Sequence, residues 1–165
     1  MAPNQSSSQE EQFALPEDLR AWLSGRTLAG LVVEASQMVE HGSTQSENDS
    51  ISENKRVALH VLVYSYATGL FASEAIHKQI ALDPLLVELA ANSAPSADEF
   101  RRFRRNRRPL LLRTLARLLQ LAWHGEFDSA SPRVGADLET ERVFERAAET
   151  RITQAALTDM IALDY

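Results

Sequence analysis

The sequence predicts an all-α fold, a compact helical bundle with a helix-turn-helix-like basic helix. Helical periodicity recurs along most of the 165 residues, no segment sustains the polar–apolar alternation of a strand, and there are only six glycines. A hydrophobic share of 44% over this length is enough to bury one core. There is no cysteine, so disulfides and thiolate metal sites are excluded. No run of eighteen apolar residues occurs, and the opening "MAPNQSSSQEEQ" lacks a basic start followed by an apolar stretch. Neither a membrane span nor a secretory signal is expected, and the chain reads as a soluble cytoplasmic protein.

Taken in order, residues 1–12 are polar and are expected to form a disordered tail. Pro16 then opens a short helix, "PEDLRAWL", with acids in its first turn where the helix dipole favours them. A second helix over residues 27–40 places Leu28, Leu31, Val32, Ala35 and Met38 near one face. The stretch "HGSTQSENDSISEN" has no apolar pattern and reads as a flexible linker at 42–54. "KRVALHVLVYSYATGLFA" is apolar nearly all round, as a central core helix must be, and Gly69 falls near its C-terminal end.

Ser73 is placed to cap "EAIHKQIAL", and Asp83-Pro84 to cap and start "PLLVELAA". Ser96 and Glu99 have the spacing of a capping box at the start of the next helix. After an acidic loop, residues 138–163 put Phe144, Ala148, Ile152, Ala155, Ala156 and Leu163 on one broad stripe. The expected division is thus a tail at 1–12, a helical domain at 13–124, and an acidic loop with an amphipathic helix at 125–165.

The net charge of −6 conceals strong segregation. Residues 1–53 carry nine acids and two bases, and residues 125–165 carry nine acids and four bases. Between them, residues 98–124 hold eight arginines against Asp98 and Glu99. Local charge decides what a surface attracts within a Debye length of about 8 Å, so the arginine segment matters more than the global sign. At 100° per residue, Arg101, Arg104, Arg105 and Arg108 share an arc of about 100°, with Phe100, Phe103 and Leu110 on another side. Like charges at these spacings repel by a few tenths of a kcal/mol per pair, so such a ridge calls for an anionic partner or for intramolecular acids. Guanidinium groups suit bidentate contact with phosphate and guanine. Contact with DNA is therefore expected from Arg101, Arg104, Arg105 and Arg108, with Arg102, Arg107 and Lys78 as peripheral phosphate contacts. A short helix, a polar turn "NSAPS" and then the most basic helix is also the layout in which a helix-turn-helix presents its second helix.

Little else points to chemistry. His41, His60, His77 and His124 are scattered without ligand-like spacing, and His60 is read as a structural histidine of the core helix. Asp128 and Asp137 read as solvated loop acids, Trp22 and Trp123 as core or interface aromatics, and Tyr64 and Tyr66 as core residues. Neither a Gly-rich phosphate loop nor a nucleophile elbow is found, and no cofactor or metal is expected.

Residues 57–124 resemble the N-terminal, InsH-type domain of insertion-sequence DDE transposases. The resemblance rests on "VLVYSYATGL", "ASEAIHKQI" and "APSADEFRRFRRNRRPLLL" in that order, with Tyr64, Tyr66, Gly69, Ser73, Ile76, Pro95, Phe103, Arg104 and Arg105 matching position by position. The upstream "LPEDLRAWL" is similar to the family's opening segment. Ser96, Ala97, Glu99 and Phe100 replace the family's usual Asp-His and Thr-Ile pairs, and Glu74 stands where an arginine is typical. The resemblance implies binding of transposon terminal repeats. It implies no catalysis here, because the family's metal-holding carboxylates belong to a domain for which "HGEFDSASPRVGAD" supplies no apolar strand. The expected function is a non-catalytic DNA-binding module, with a homodimer or a transposase as a further partner and no membrane. The alternative is a helical interaction module. In that reading the 138–163 helix packs on a partner or dimerises, the arginine face meets an acidic protein, or the helix folds over the ridge and masks it.

Overall fold

The computed structural model describes residues 15–42, 51–91, 93–127 and 138–163. A 3-10 turn (Leu19–Ala21) precedes seven helices: α1 (Gly25–Gly42), α2 (Glu53–Ala67), α3 (Ser73–Ile80), α4 (Pro84–Leu89), α5 (Ala97–Asn106), α6 (Arg108–Phe127) and α7 (Leu138–Leu163). No strand occurs among the described residues, as the missing alternation predicts. The expected 1–12 tail and the loop acids Asp128 and Asp137 lie outside the described residues. So do residues 43–50 of the expected linker, whose two ends are helical at Gly42 and Glu53.

The core is built around α2. Val57 to Leu59 and Val61 to Ala67 are all buried, so this helix meets neighbours on every side. It contacts α1, α5, α6, α3, α4 and α7, while α6 lies between α1 and α7 and buries Leu111, Leu115, Leu118, Leu119 and Ala122. Trp123 of α6 stacks edge-to-face with Trp22 at 5.9 Å and with Phe144 of α7 at 6.4 Å, tying three elements together. The C-terminal helix is thereby part of the same bundle.

The C-terminus of α2 is closed by a set of local hydrogen bonds and one long-range one. Thr68 donates its N–H and hydroxyl to Tyr64 and Ser65, and the Leu70 amide reaches back to Ser65. Gly69 adopts φ +80°, the left-handed conformation that closes a helix end. The Tyr66 carbonyl accepts from Arg151 Nη1 at 2.6 Å. Arg151, itself buried, also donates to the carbonyls of Glu17 at 2.8 Å and Pro16 at 2.6 Å. One guanidinium of α7 thus holds the N-terminal segment against the end of the core helix.

Four local expectations are corrected. The helix expected from Pro16 is only the 3-10 turn, capped by the Asp18 carboxylate accepting from the Arg20 amide. Ser73 is the first helical residue of α3 and Ala72 the cap, so the Ser73 hydroxyl is free for another partner. The arginine helix is broken at Arg107 (φ −122°, ψ 29°), because Pro109 offers no N–H and its ring would clash with the carbonyl four residues earlier. α6 then starts afresh with Pro109 in its first turn, where proline is tolerated. Finally, Leu163 is 66% exposed, so the buried stripe of α7 ends before it.

Candidate nucleic-acid interface

α5 forms where its sequence says it should. Ser96 Oγ accepts from the Glu99 amide at 3.2 Å while Glu99 Oε2 accepts from the Ser96 amide at 2.8 Å. Ala97, Phe100 and Phe103 bury the inner face, and sealing each phenylalanine contributes about 2 kcal/mol. The register of those anchors decides which arginines reach solvent.

The structure separates the seven basic residues expected at the interface. Arg102, Arg105 and Lys78 are exposed, and none of them has a hydrogen bond or ion pair among the described residues. Arg107 is half-buried at the break between α5 and α6. With Lys55, Arg102, Asn54, Asn106 and Glu99 it lines a groove of about 280 Å³ that carries three cations against one acid. Arg108 is partly covered by α7, with Glu149 Oε1 and Thr153 Oγ1 each at 3.5 Å.

Arg101 and Arg104 are not on the open ridge. Arg104 has a side chain 8% exposed and donates from Nη1 to Asp159 Oδ2 at 2.8 Å and to the Tyr66 hydroxyl at 3.3 Å. Burial opposes its charge, and Tyr66 and Asp159 outweigh that and raise its pKa. Arg101, 13% exposed, meets Asp98 at 2.7 Å, Glu74 at 3.6 Å and Asp159 at 3.8 Å. In this conformation α7 covers both, so neither reaches a phosphate. The reason is the helical register of α7, in which Asp159 follows Phe144, Ala148, Ile152 and Ala155 on the buried stripe.

Asp159 and Arg151 are the site-shaping residues that sequence reasoning missed. Both lie at helical spacing on an otherwise apolar stripe, and a charge in that position signals a buried pair or a backbone clamp. Asp159 also accepts from the Ser73 amide at 2.8 Å and the Ser73 hydroxyl at 2.6 Å, so it caps α3 from across the bundle. Glu74 faces Arg101 as its second acid.

Two histidines lie away from this surface. His77 Nδ1 pairs with the Pro95 carbonyl at 2.8 Å. His60 faces a separate cleft of about 490 Å³ with its Nε2 buried and unpartnered, and burial, reinforced by Arg56, lowers its pKa. No cluster of potential metal ligands occurs among the described residues, and none of their helices is long and apolar enough to cross a membrane. No family model matches the chain, and neither a curated protein nor a solved structure matches it.

Proposed function

We propose that the chain is a DNA-binding helical module related to transposase N-terminal domains, without catalysis of its own. The exposed pair Arg102 and Arg105, unneutralised although Arg101, Arg104 and Arg108 beside them face acids, is the observation that carries this reading. Leaving two guanidinium groups unpaired within one turn costs repulsion that a phosphate backbone would relieve. The basic groove that Arg102 lines with Lys55 and Arg107 extends the same surface. The motif resemblance favours transposon ends as the target.

The test is fluorescence anisotropy of a labelled duplex at about 50 and 200 mM salt. It compares the inverted repeats of a transposon flanking the gene with a scrambled duplex. The double substitution Arg102→Ala, Arg105→Ala is expected to weaken binding several-fold and to reduce the salt slope by about two. Unchanged affinity and slope, or no binding at low salt, would refute the reading.

A second reading, a protein-interaction module, is favoured by Leu157, Met160 and Ile161, which lie at i, i+3 and i+4 and are 53%, 62% and 62% exposed. A self-association constant from analytical ultracentrifugation that falls in Leu157→Ser, Ile161→Ser would support it. A monomer at all concentrations would remove the homodimer form of this alternative.

A further inference from the structure

The Asp159 carboxylate is held by donors from two other helices. The Ser73 amide at the first position of α3, the Ser73 hydroxyl and Arg104 Nη1 all donate to its two carboxylate oxygens, at 2.8, 2.6 and 2.8 Å. Arg101 Nε, buried and without a hydrogen-bond partner, stands 3.8 Å from the same carboxylate. The Tyr66 hydroxyl borders the pocket through its bond to Arg104. A helix N-terminus, a hydroxyl and a guanidinium converging on one anion form the donor set that phosphate oxygens accept from equally well. The carboxylate occupying them comes from the chain itself.

Its tether is weak. The buried anchors of α7 are Phe144, Ala148, Arg151, Ile152 and Ala155, and beyond Ala155 only Asp159 is buried among the described residues. Leu157, Met160, Ile161 and Leu163 in those last turns are all more than half exposed. Apolar burial holds the final two turns only in part, so they fray more readily than the rest of α7 undocks. Arg104, once uncovered, adjoins Arg105 and continues the exposed basic strip. Asp98 and Glu74 still hold Arg101, so the charge set free is that of Arg104 alone.

We propose that the Arg104–Ser73–Tyr66 pocket is a covered binding site for one nucleic-acid phosphate, and that Asp159 on the terminal turns of α7 is its built-in competitor. This rests on the DNA-binding reading and adds to it a regulated contact. Removing the competitor opens the site.

The experiment uses the full chain with Asp159→Ala, and Asp159→Asn as the shape-preserving second variant should the first not fold. Duplex affinity is read by anisotropy across salt, and melting temperature is read with and without inorganic phosphate. The variant is expected to bind duplex several-fold more tightly, with a salt slope steeper by about one. Phosphate is expected to raise its melting temperature and to leave that of the wild type unchanged. Adding Arg104→Ala to the variant should abolish both gains. A folded variant with unchanged or weaker duplex binding would overturn the competitor, while wild-type binding that still depends on Arg102 and Arg105 would leave the DNA reading intact. Conversely, loss of all duplex binding in wild type and variant would overturn that reading and the nucleic-acid assignment together. Absence of phosphate stabilisation in the variant would overturn the pocket itself.

Discussion

Replacing Arg151 by methionine should destabilise the whole bundle, and the geometry sets the size. Arg151 makes three charge-assisted hydrogen bonds, at 2.8, 2.6 and 2.6 Å, all to main-chain carbonyls. Such bonds contribute about 1.5–3 kcal/mol each before desolvation of the guanidinium is subtracted. That desolvation is substantial, because burial lowers the Arg151 pKa, with Glu17 and Asp18 only partly opposing it. In Arg151→Met the aliphatic bulk remains and the desolvation cost disappears. The Pro16 and Glu17 carbonyls are part-buried and can turn to water. The Tyr66 carbonyl is buried at the end of α2 and cannot, leaving an orphan that costs about 1–3 kcal/mol. The net loss expected is about 2–4 kcal/mol, or a fall of roughly 6–12 °C in Tm. Urea unfolding followed by far-UV circular dichroism measures it, and limited proteolysis should show faster cleavage near Pro16 because the segment loses its clamp. A variant within about 0.5 kcal/mol of wild type would show that the carbonyls find other partners and that the clamp is not structural.

Two further outcomes are expected. Gly69→Ala would force a side chain into φ +80° and place its Cβ 3.1 Å from Glu17 Cγ and 3.3 Å from the Glu17 carbonyl oxygen. A loss of about 1–3 kcal/mol in a denaturant titration is predicted, and a neutral effect would mean that the 16–18 segment yields freely. His60 is held neutral by burial, so its folded-state pKa lies below the unfolded value near 6.5. The unfolded chain therefore takes up the proton first, and the stability His60 contributes is complete above that pH and lost as pH falls below it. His60→Phe should flatten the decline in melting temperature between about pH 7 and 5, and an unaltered decline would assign it to other groups.

The elements were legible wherever local chemistry decides them. The capping box of Ser96 and Glu99, the Asp83-Pro84 start of α4 and the nearly all-round apolar α2 each follow from side chains a few residues apart, and each is found. The interface was only half legible, because periodicity assigns a face to each arginine but says nothing of what lies across from it. Arg101, Arg104, Arg105 and Arg108 share an arc on a bare helix. Burial of Phe100 and Phe103 against α2, and the arrival of Asp159 from α7, then divide that arc into covered and open parts. The pairing of residues 55 positions apart depends on how two helices cross, and short-range patterning carries no record of it.

The same division explains why the charge segregation persists within one chain. Had α7 been basic, Arg104 would be a buried cation without a counter-charge, which costs several kcal/mol. Had it been purely apolar there, the Ser73 amide would also be left without its acceptor. Asp159 meets both needs with one carboxylate, and Glu149 plays a weaker, exposed version of the part for Arg108. Asp159 and Glu149 of the C-terminal helix are therefore counter-charges fitted to particular arginines. Neutralisation that selective leaves Arg102 and Arg105 exposed and without an acid of their own among the described residues, which is why the proposed contact with DNA is placed on them.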